Sequence, residues 1–246
     1  MSTKLDLKIV WLYPKEMSTY GDRGNIIALK RRCEWRDIDI EVVEVGLREE
    51  IATGADLYFF GGGQDLSQVQ VSGDLKKHKH KALVEEAESG KVFLGICGGY
   101  QLFGHYYQDG EGNSLEGLGI LDVTTTAGTK RMMGNLVVET HFLKEKLVGF
   151  ENHSGKTVLG EKATSLGKVV VGAGNNGEDQ TEGAVQNNVF GCYLHGPVLP
   201  KNPEFADHLL KLALQKKYGD LELKFINDNQ EELAHESALH RALKTH

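Results

Sequence analysis

The first hundred residues alternate between short segments with strand character and segments with helical spacing. This alternation predicts a mostly parallel sheet with helices on both faces, because parallel strands must be joined by crossover helices. The predicted strands are residues 5–13, 38–45, 55–60 and 91–96. The predicted helices are residues 24–35, with Asp22 as the candidate N-terminal cap, 66–89, with a candidate break near Gly73, and 100–107. In such a sheet a ligand site lies beyond the carboxyl ends of the strands, so functional residues are expected in the loops that follow them.

From Ile120 onward the chain changes to short β-rich segments separated by glycine and asparagine. This change predicts a β-rich C-terminal extension of mixed or antiparallel strands, followed by a helix over residues 203–218. The extension strands are expected at residues 135–139, 147–151, 168–171 and 189–194. Residues 1–225 are predicted to form one α/β domain, because no repeat or linker interrupts them. Residues 226–246 are predicted to form a polar C-terminal helix or tail.

Composition and charge argue against several classes of protein. The formal net charge is −7 at pH 7, which disfavours a protein that binds phosphate backbones. No apolar stretch reaches the about 20 residues that cross a bilayer, and the N-terminal residues lack the layout of a signal peptide. The three cysteines, Cys33, Cys97 and Cys192, cannot all pair, and none forms a Cys-x-x-Cys ligand pair. These features predict a cytoplasmic protein with free thiols and no metal site.

The segment from Val92 to Gln101 is the most informative part of the sequence. A predicted strand runs directly into Cys97-Gly98-Gly99 and then into a helix, which is the thiol counterpart of the Gly-x-Ser-x-Gly nucleophile elbow. Gly95 and Gly99 flank the cysteine, and their missing side chains allow strained dihedral angles and the close approach of a substrate. The start of the helix is expected to lower the pKa of the thiol. Cys97 is therefore predicted to be a nucleophile, whereas the other two cysteines are predicted to be buried apolar residues.

A nucleophilic cysteine needs a base, which is usually a histidine distant in sequence. Among the ten histidines, His195 ends an apolar predicted strand and begins a loop, which places it at the same edge of the sheet as Cys97. A neutral imidazole there can accept the thiol proton and later protonate a leaving group. His153, also at a strand end, is the alternative base, and it is expected instead to shape or line the pocket.

Three consecutive glycines, Gly61, Gly62 and Gly63, end the predicted strand that neighbours the elbow. The backbone N–H groups of Gly62 and Gly63, together with that of Gly98 after the nucleophile, can point at a developing oxyanion. A triple glycine by itself is common in turns. The elbow beside it favours its interpretation as an oxyanion hole.

Six short motifs occur in order along nearly the whole chain. They are Tyr20-Gly21-Asp22-Arg23-Gly24-Asn25, Phe60-Gly61-Gly62-Gly63-Gln64-Asp65, Gly95-Ile96-Cys97-Gly98-Gly99-Tyr100-Gln101, Glu116-Gly117-Leu118-Gly119, Gly149-Phe150-Glu151-Asn152-His153 and Tyr193-Leu194-His195-Gly196-Pro197. Through these motifs the chain resembles the class I glutamine amidotransferases of the cobyric acid synthase-like branch, and within it the glutaminase subunits of lipid II isoglutaminyl synthases. The resemblance implies the three-layer, flavodoxin-like fold of that class.

The resemblance also implies a reaction. Cys97 would attack the side-chain amide of L-glutamine, with His195 as the base, and water would cleave the resulting glutamyl thioester. Arg131 falls where the family places the arginine that holds the glutamine, and a guanidinium can bind the α-carboxylate through two parallel hydrogen bonds.

The resemblance further implies a partner, the Mur ligase-like subunit MurT, which would use the ammonia for ATP-dependent amidation of D-glutamate in the lipid II stem peptide. The chain has no Gly-x-x-x-x-Gly-Lys-[Ser/Thr] loop, so no cofactor is expected in it and ATP is expected in the partner. The heterodimer would act in the cytoplasm near the inner face of the membrane, and it would reach the lipid-linked precursor through the partner.

In one respect the sequence departs from many class I relatives. They carry a glutamate two residues after the histidine, and Pro197 stands at that place here. A dyad is therefore expected, with Glu151 or a backbone carbonyl as the group that orients His195. Two other enzymatic functions stay open, namely a stand-alone γ-glutamyl hydrolase and a cobyric acid synthase-like amidotransferase with another acceptor. A non-catalytic binding module of the flavodoxin type is a further alternative.

Overall fold

The structure is a computed structural model that describes residues 4–51 and 53–244, apart from the side chains of Tyr20 and Asp65. The strands are β1 (Asp6–Leu12), β2 (Asp39–Val45), β3 (Leu57–Phe60), β4 (Val92–Ile96), β5 (Tyr106–Gln108), β6 (Ser114–Glu116), β7 (Val123–Glu139), β8 (Leu147–Leu159), β9 (Gly167–Val171), β10 (Thr181–Glu182), β11 (Ala184–Gln186) and β12 (Val189–Cys192). The helices are α1 (Arg23–Glu34), α2 (Asp65–Asp74), α3 (His80–Glu88), α4 (Gly98–Phe103), α5 (Val198–Lys201), α6 (Pro203–Tyr218) and α7 (Asn229–Lys244).

The central sheet has six strands in the order β2-β1-β3-β4-β12-β11. The first five are parallel, and β11 pairs antiparallel with β12 at one edge. Every residue of β3 and β4 is buried, as expected for strands covered on both faces, and this explains why the two segments are continuously apolar. The predicted α/β fold with a mostly parallel central sheet is confirmed.

The β-rich extension forms a second sheet of six strands, in the order β10-β9-β7-β5-β6 with β8 paired to β7. The assignment of residues 189–194 to this extension is wrong, because Val189–Cys192 is β12, which is fully buried and pairs in parallel with β4 in the central sheet. β7 and β8 form a long antiparallel pair, whose register shifts between Ala127 and Met132. The sequence predicted only the ends of these strands, at residues 135–139 and 147–151. The remaining parts are polar and partly exposed, so they lack the apolar run by which a buried strand is recognised.

Two helices differ from the sequence expectation. The predicted helix over residues 66–89 is α2 and α3, joined by one π-helical turn at Leu75–Lys79, close to the break expected at Gly73. The predicted helix over residues 100–107 ends at Phe103, because the chain then joins the second sheet as β5. Within residues 4–51 and 53–244, no helix has the length and apolar character that spanning a membrane requires.

The C-terminal segment contains helix α7, and its last two residues, 245 and 246, lie outside the described part of the chain. Ala238, Leu239 and Ala242 of α7 pack against a small apolar cluster of the second sheet. The segment is also held by charge, because Arg32 of α1 donates hydrogen bonds to both Asp207 and Asp228. The side chain of Arg32 is only 3% exposed, so these bonds are shielded from water.

We expect Arg32→Ala to lower the free energy of unfolding by about 3 kcal/mol, because it removes the cation of Asp228 and one of the two cations of Asp207, which keeps Arg36. Chemical denaturation measures the change. Arg31→Ala is the matched control, since its exposed ion pair with Glu34 is worth less than about 1 kcal/mol. Equal effects of the two substitutions would contradict a role of Arg32 in holding the C-terminal segment.

Candidate active site

Cys97 lies at the turn between β4 and α4, at the carboxyl end of the central sheet. Its backbone has φ 50° and ψ −105°, a conformation that a residue with a side chain rarely adopts and that indicates local strain. Two hydrogen bonds hold this conformation: the N–H of Cys97 donates to the carbonyl of Cys192, and the carbonyl of Cys97 accepts from the N–H of Gln101. The turn therefore has the form of a nucleophile elbow.

The flanking glycines act by packing rather than by conformation. A Cβ on Gly95 would lie 2.7 Å from the ring of Phe103, and one on Gly99 would collide with the carbonyl of Phe60. Neither glycine has a positive φ, so the strained residue of the turn is the cysteine itself. The elbow therefore requires Gly95 and Gly99 because there is no space for a side chain at either position, and not because their own dihedral angles are strained.

His195 follows β12, the strand that pairs with β4. Its backbone is fixed by two hydrogen bonds with Phe150, and its side chain is buried. Both side chains approach Gly62, because a Cβ on that glycine would lie 3.2 Å from Cε1 of His195 and 3.4 Å from Cβ of Cys97. Two segments about one hundred residues apart in sequence therefore meet at the glycine loop.

Burial controls the protonation of both groups. Desolvation and, to a smaller extent, the nearby carboxyl of Asp22 together raise the pKa of the Cys97 thiol to about 12, against smaller opposing effects of the Gly98 N–H and Arg131. Burial, with a smaller effect of His153, lowers the pKa of His195 to about 4. The N–H of Gly98 at the start of the helix lowers the thiol pKa, as expected, but desolvation outweighs it and the net shift is upward. Both groups are neutral near pH 7.

Asp22 has a place that the sequence did not predict. The sequence assigns it to the N-terminus of the first helix as a cap, but its side chain makes no capping hydrogen bond there. Instead, Oδ2 of Asp22 accepts a hydrogen bond of 2.6 Å from the N–H of Gly62. The carboxyl is fully buried, and burial raises its pKa to about 7.

The three glycines proposed for the oxyanion hole have different surroundings. The N–H of Gly62 donates to Asp22, so it is already engaged in this arrangement. The nitrogen of Gly63 lies 3.1 Å from the point where a Cβ on Gly98 would be. The N–H of Gly98 is close enough to the Cys97 sulfur to lower the pKa of the thiol. Gly63 and Gly98 therefore lie next to each other on the side of the nucleophile.

Cys97 opens into a pocket of about 400 Å³, which is large enough for an amino acid. The pocket is lined by Thr19, Gly63, Gln64, Leu66, Gln68, Cys97, Gln101, Tyr107, Arg131, Asn152, His153, Ser154 and Gly155. Arg131 lies where the register of β7 and β8 shifts, and its Nε donates a hydrogen bond of 2.6 Å to Oδ1 of Asn152. The pocket thus holds a thiol and a guanidinium together.

The other candidates near His195 have structural bonds of their own. His153 lines the pocket and stacks on the ring of Tyr193, with ring centroids 3.5 Å apart. Glu151, a candidate for orienting His195, accepts hydrogen bonds from the N–H groups of Ala173 and Gly174 through its two oxygens. Its carboxylate is also 3.9 Å from Nε2 of His153.

Sequence reasoning missed a chain of side-chain hydrogen bonds behind the pocket. Gln68 donates to Gln101, Gln101 donates to the hydroxyl of Tyr193, and Tyr193 shares a hydrogen bond with Thr157. These residues come from four separate elements and have no shared spacing, so no pattern in the sequence connects them. In the described part of the chain, no group of three or more histidine, cysteine and acidic side chains is arranged to hold a metal ion.

This fold and this pocket define a class of protein. A strained cysteine at a strand end, a histidine in the loop after the adjacent parallel strand and a glycine loop beside both are the features of a class I glutamine amidotransferase. Residues 8–203 match the CobB/CobQ-like glutamine amidotransferase domain, and the chain belongs to that family.

Its relatives include the GatD subunit of lipid II isoglutaminyl synthase (glutamine-hydrolyzing) from Staphylococcus aureus, which is 42% identical over 238 residues, covering 96% of both chains. The subunit of the same name from Streptococcus pneumoniae is 40% identical over 225 residues, covering 90% of this chain and 86% of its own. A crystal structure of a glutamine amidotransferase superposes with a TM-score of 0.59 at 18% identity, covering 83% of this chain and 98% of that one. That likeness shows the shared fold.

The protonation of the site predicts a pH dependence. With a pKa of about 12, the Cys97 thiolate fraction is small at pH 7 and rises about tenfold per pH unit below that pKa. We expect the rate of alkylation of Cys97 by iodoacetamide to rise continuously from pH 7 to pH 10. Mass spectrometry of the Cys97 peptide measures the rate, with Cys97→Ser as the blank. A plateau near neutral pH would show that the thiol is already ionised.

Arg131 is predicted to bind the α-carboxylate of L-glutamine. We expect Arg131→Ala to raise KM for L-glutamine by about tenfold or more, because a charge-assisted pair with the α-carboxylate is lost, while kcat changes little. Lys130→Ala is the matched control, since it removes an exposed positive charge from the neighbouring position. Steady-state kinetics distinguish KM from kcat. A change in kcat alone would contradict the role of Arg131 in binding glutamine.

Proposed function

We propose that the chain is the glutamine-hydrolysing subunit of a lipid II isoglutaminyl synthase. It would release ammonia from L-glutamine and deliver it for amidation of D-glutamate in the lipid II stem peptide, a step of peptidoglycan synthesis. The observation that carries this proposal is the approach of Cys97 and His195 to Gly62 at the carboxyl ends of adjacent strands. Its specific form is supported by the names of the two GatD relatives, which match nearly the full chain.

In the proposed reaction, His195 accepts the proton of the Cys97 thiol as the sulfur attacks the amide carbon of glutamine. The carbonyl oxygen becomes an oxyanion, which backbone N–H groups of the glycine loop and of Gly98 stabilise. When the C–N bond breaks, the imidazolium returns the proton to the leaving nitrogen, and ammonia departs. Water, deprotonated by the now neutral His195, then cleaves the glutamyl thioester to glutamate and restores the thiol.

Buried neutral groups suit the first step. A neutral His195 is a ready proton acceptor at pH 7, and a neutral thiol has the proton to give. The developing imidazolium and thiolate have opposite charges and form together, so the pair avoids an isolated buried charge. Arg131 would hold the α-carboxylate of the substrate at the mouth of the pocket and so direct the side-chain amide toward Cys97.

The proposed partner is a MurT-like Mur ligase subunit, which would form a heterodimer with this chain and activate the acceptor carboxylate with ATP. The support is that both GatD relatives are named as subunits of a synthase, while this chain contains no P-loop sequence. The chain itself would need no cofactor. Its proposed place of action is the cytoplasm, near the inner face of the membrane, where the partner would present the lipid-linked substrate.

The test separates hydrolysis from ammonia use. We expect Cys97→Ser and His195→Ala each to lower glutamine hydrolysis by at least about 100-fold, because each removes a group that takes part in bond formation or proton transfer. In a complex with the Mur ligase-like partner, the same variants should still support amidation of lipid II when an ammonium salt replaces glutamine. Mass spectrometry of the lipid product and an ammonia assay measure the two activities.

The controls are Cys33→Ala and His105→Ala, which change a thiol in α1 and an exposed histidine beside Asp122. Full glutamine hydrolysis by either active-site variant would show that the wrong groups have been assigned. Hydrolysis of γ-glutamyl peptides without a partner, and no amidation of lipid II with one, would favour a stand-alone γ-glutamyl hydrolase instead.

A further inference from the structure

The glycine loop is held on both sides by residues that precede helix α1. The N–H of Gly62 donates to Oδ2 of Asp22 at 2.6 Å. The carbonyl of Gly62 accepts two hydrogen bonds from Thr19, one from its N–H and one from its hydroxyl, each of 3.0 Å. A single glycine beside the nucleophile thus has both of its backbone polar groups fixed by one short turn.

These bonds determine the direction of the next N–H group. In a trans peptide the carbonyl and the following N–H point in opposite directions, because the peptide unit is planar. Since the carbonyl of Gly62 points at Thr19, the N–H of Gly63 must point away from Thr19. The nitrogen of Gly63 lies beside Gly98, whose own N–H faces the Cys97 sulfur. Gly63 and Cys97 also line the same pocket, so the Gly63 N–H lies beside the nucleophile.

We propose that Thr19 and Asp22 are positioning residues of the oxyanion hole, which is formed by the N–H groups of Gly63 and Gly98. Thr19 fixes the peptide between Gly62 and Gly63, and Asp22 fixes the peptide before it. The inference rests on the proposed glutaminase function and adds to it the residues that aim the donors. Neither side chain takes part in bond formation, so both act through the orientation of the glycine loop.

The surroundings of Asp22 agree with this role. Its side chain is fully buried, and its Oδ1 atom has no hydrogen-bond partner among the described residues. The Gly62 N–H is therefore what this carboxyl binds within the described part of the chain. Burying a carboxyl with so little compensation costs free energy, as its raised pKa also indicates. Buried carboxyl groups with a perturbed pKa are common at catalytic sites.

The same segment also contacts the loop that carries the histidine. A Cβ on Gly24 would lie 3.2 Å from Cβ of Pro197, so this glycine allows α1 to pack against the residue two positions after His195. The side chain of Asn25 accepts a hydrogen bond of 2.9 Å from the N–H of Leu199. Residues 19–25 thus connect the glycine loop to the loop that carries His195. Gly24 and Asn25, in the second half of the Tyr20–Asn25 motif, therefore also have a structural role.

The test uses substitutions that change one bond each. Thr19→Val keeps the shape of the side chain and the backbone bond but removes the hydroxyl, and we expect kcat for glutamine hydrolysis to fall about fivefold to tenfold. Asp22→Ala removes the acceptor of the Gly62 N–H, and we expect a fall of about 10- to 100-fold, because a misaligned donor loses much of its effect. Asp22→Asn retains a side-chain oxygen that can accept the bond, and it should stay within about threefold of the unchanged protein.

A second measurement distinguishes this role from general damage to the site. Alkylation of Cys97 by iodoacetamide displaces iodide and forms no oxyanion, so it depends on the thiol and on access but not on the oxyanion hole. We expect Thr19→Val to alkylate at the rate of the unchanged protein. The two Asp22 variants should alkylate at least as fast, because they lose the carboxyl that raises the pKa of the thiol, and KM for glutamine should be unchanged in all three. Ser18→Ala is the matched control, because this neighbouring hydroxyl makes no side-chain capping bond.

Two outcomes would overturn the inference. One is a parallel loss of hydrolysis and alkylation in Thr19→Val and Asp22→Ala, which would show a structural defect of the elbow. The other is an Asp22→Asn variant as inactive as Asp22→Ala, which would show that the charge and not the hydrogen bond matters. If the unchanged protein with its partner hydrolysed no glutamine at all, the proposed function would fail instead, so the two failures are distinguishable.

Discussion

The site depends on the strained backbone of Cys97, which the two neighbouring strands hold in place. The cysteine N–H is bound by the carbonyl of Cys192 on β12, and the N–H of Gly99 is bound by the carbonyl of Gly61 after β3. The turn that carries the nucleophile is thereby joined to the loop that carries the histidine and to the glycine loop. Parallel pairing puts the carboxyl ends of all three strands at one edge, so the geometry follows from the order of the sheet.

Desolvation is the second physical effect that shapes this site. In the proposed reaction His195 and Cys97 exchange a proton. His195 is buried and Cys97 is partly buried at the pocket, and desolvation favours the neutral form of each. A thiol with a raised pKa and an imidazole with a lowered one remain uncharged until the substrate amide is attacked. The protein thus avoids a permanent ion pair in its interior and forms charge only together with the reaction. Arg131, at the exposed rim, supplies the stable positive charge of the pocket.

The residues before α1 connect the parts of the site that come from distant segments. Asp22 and Thr19 bind Gly62, and Gly24 and Asn25 contact the loop after His195. Pro197 occupies the position at which many class I relatives have a glutamate, and here it packs against α1. The contact with α1 thus gives the histidine loop a support that is independent of a third catalytic side chain.

The sequence by itself determined the alternating core of the fold and the turn at Cys97, and it led to the prediction of His195 as the base, because these depend on local patterns such as continuous apolar runs, flanking glycines and strand ends. Three further features depend on contacts between distant segments, which local sequence patterns do not contain. The pKa of Cys97 depends on desolvation by distant segments, which outweighs the lowering by the N–H at the start of the helix. The position of the Asp22 side chain depends on a partner 40 positions away and not on capping the first helix. The full lengths of β7 and β8 also depend on tertiary structure, because their polar residues form strands by pairing between the two segments.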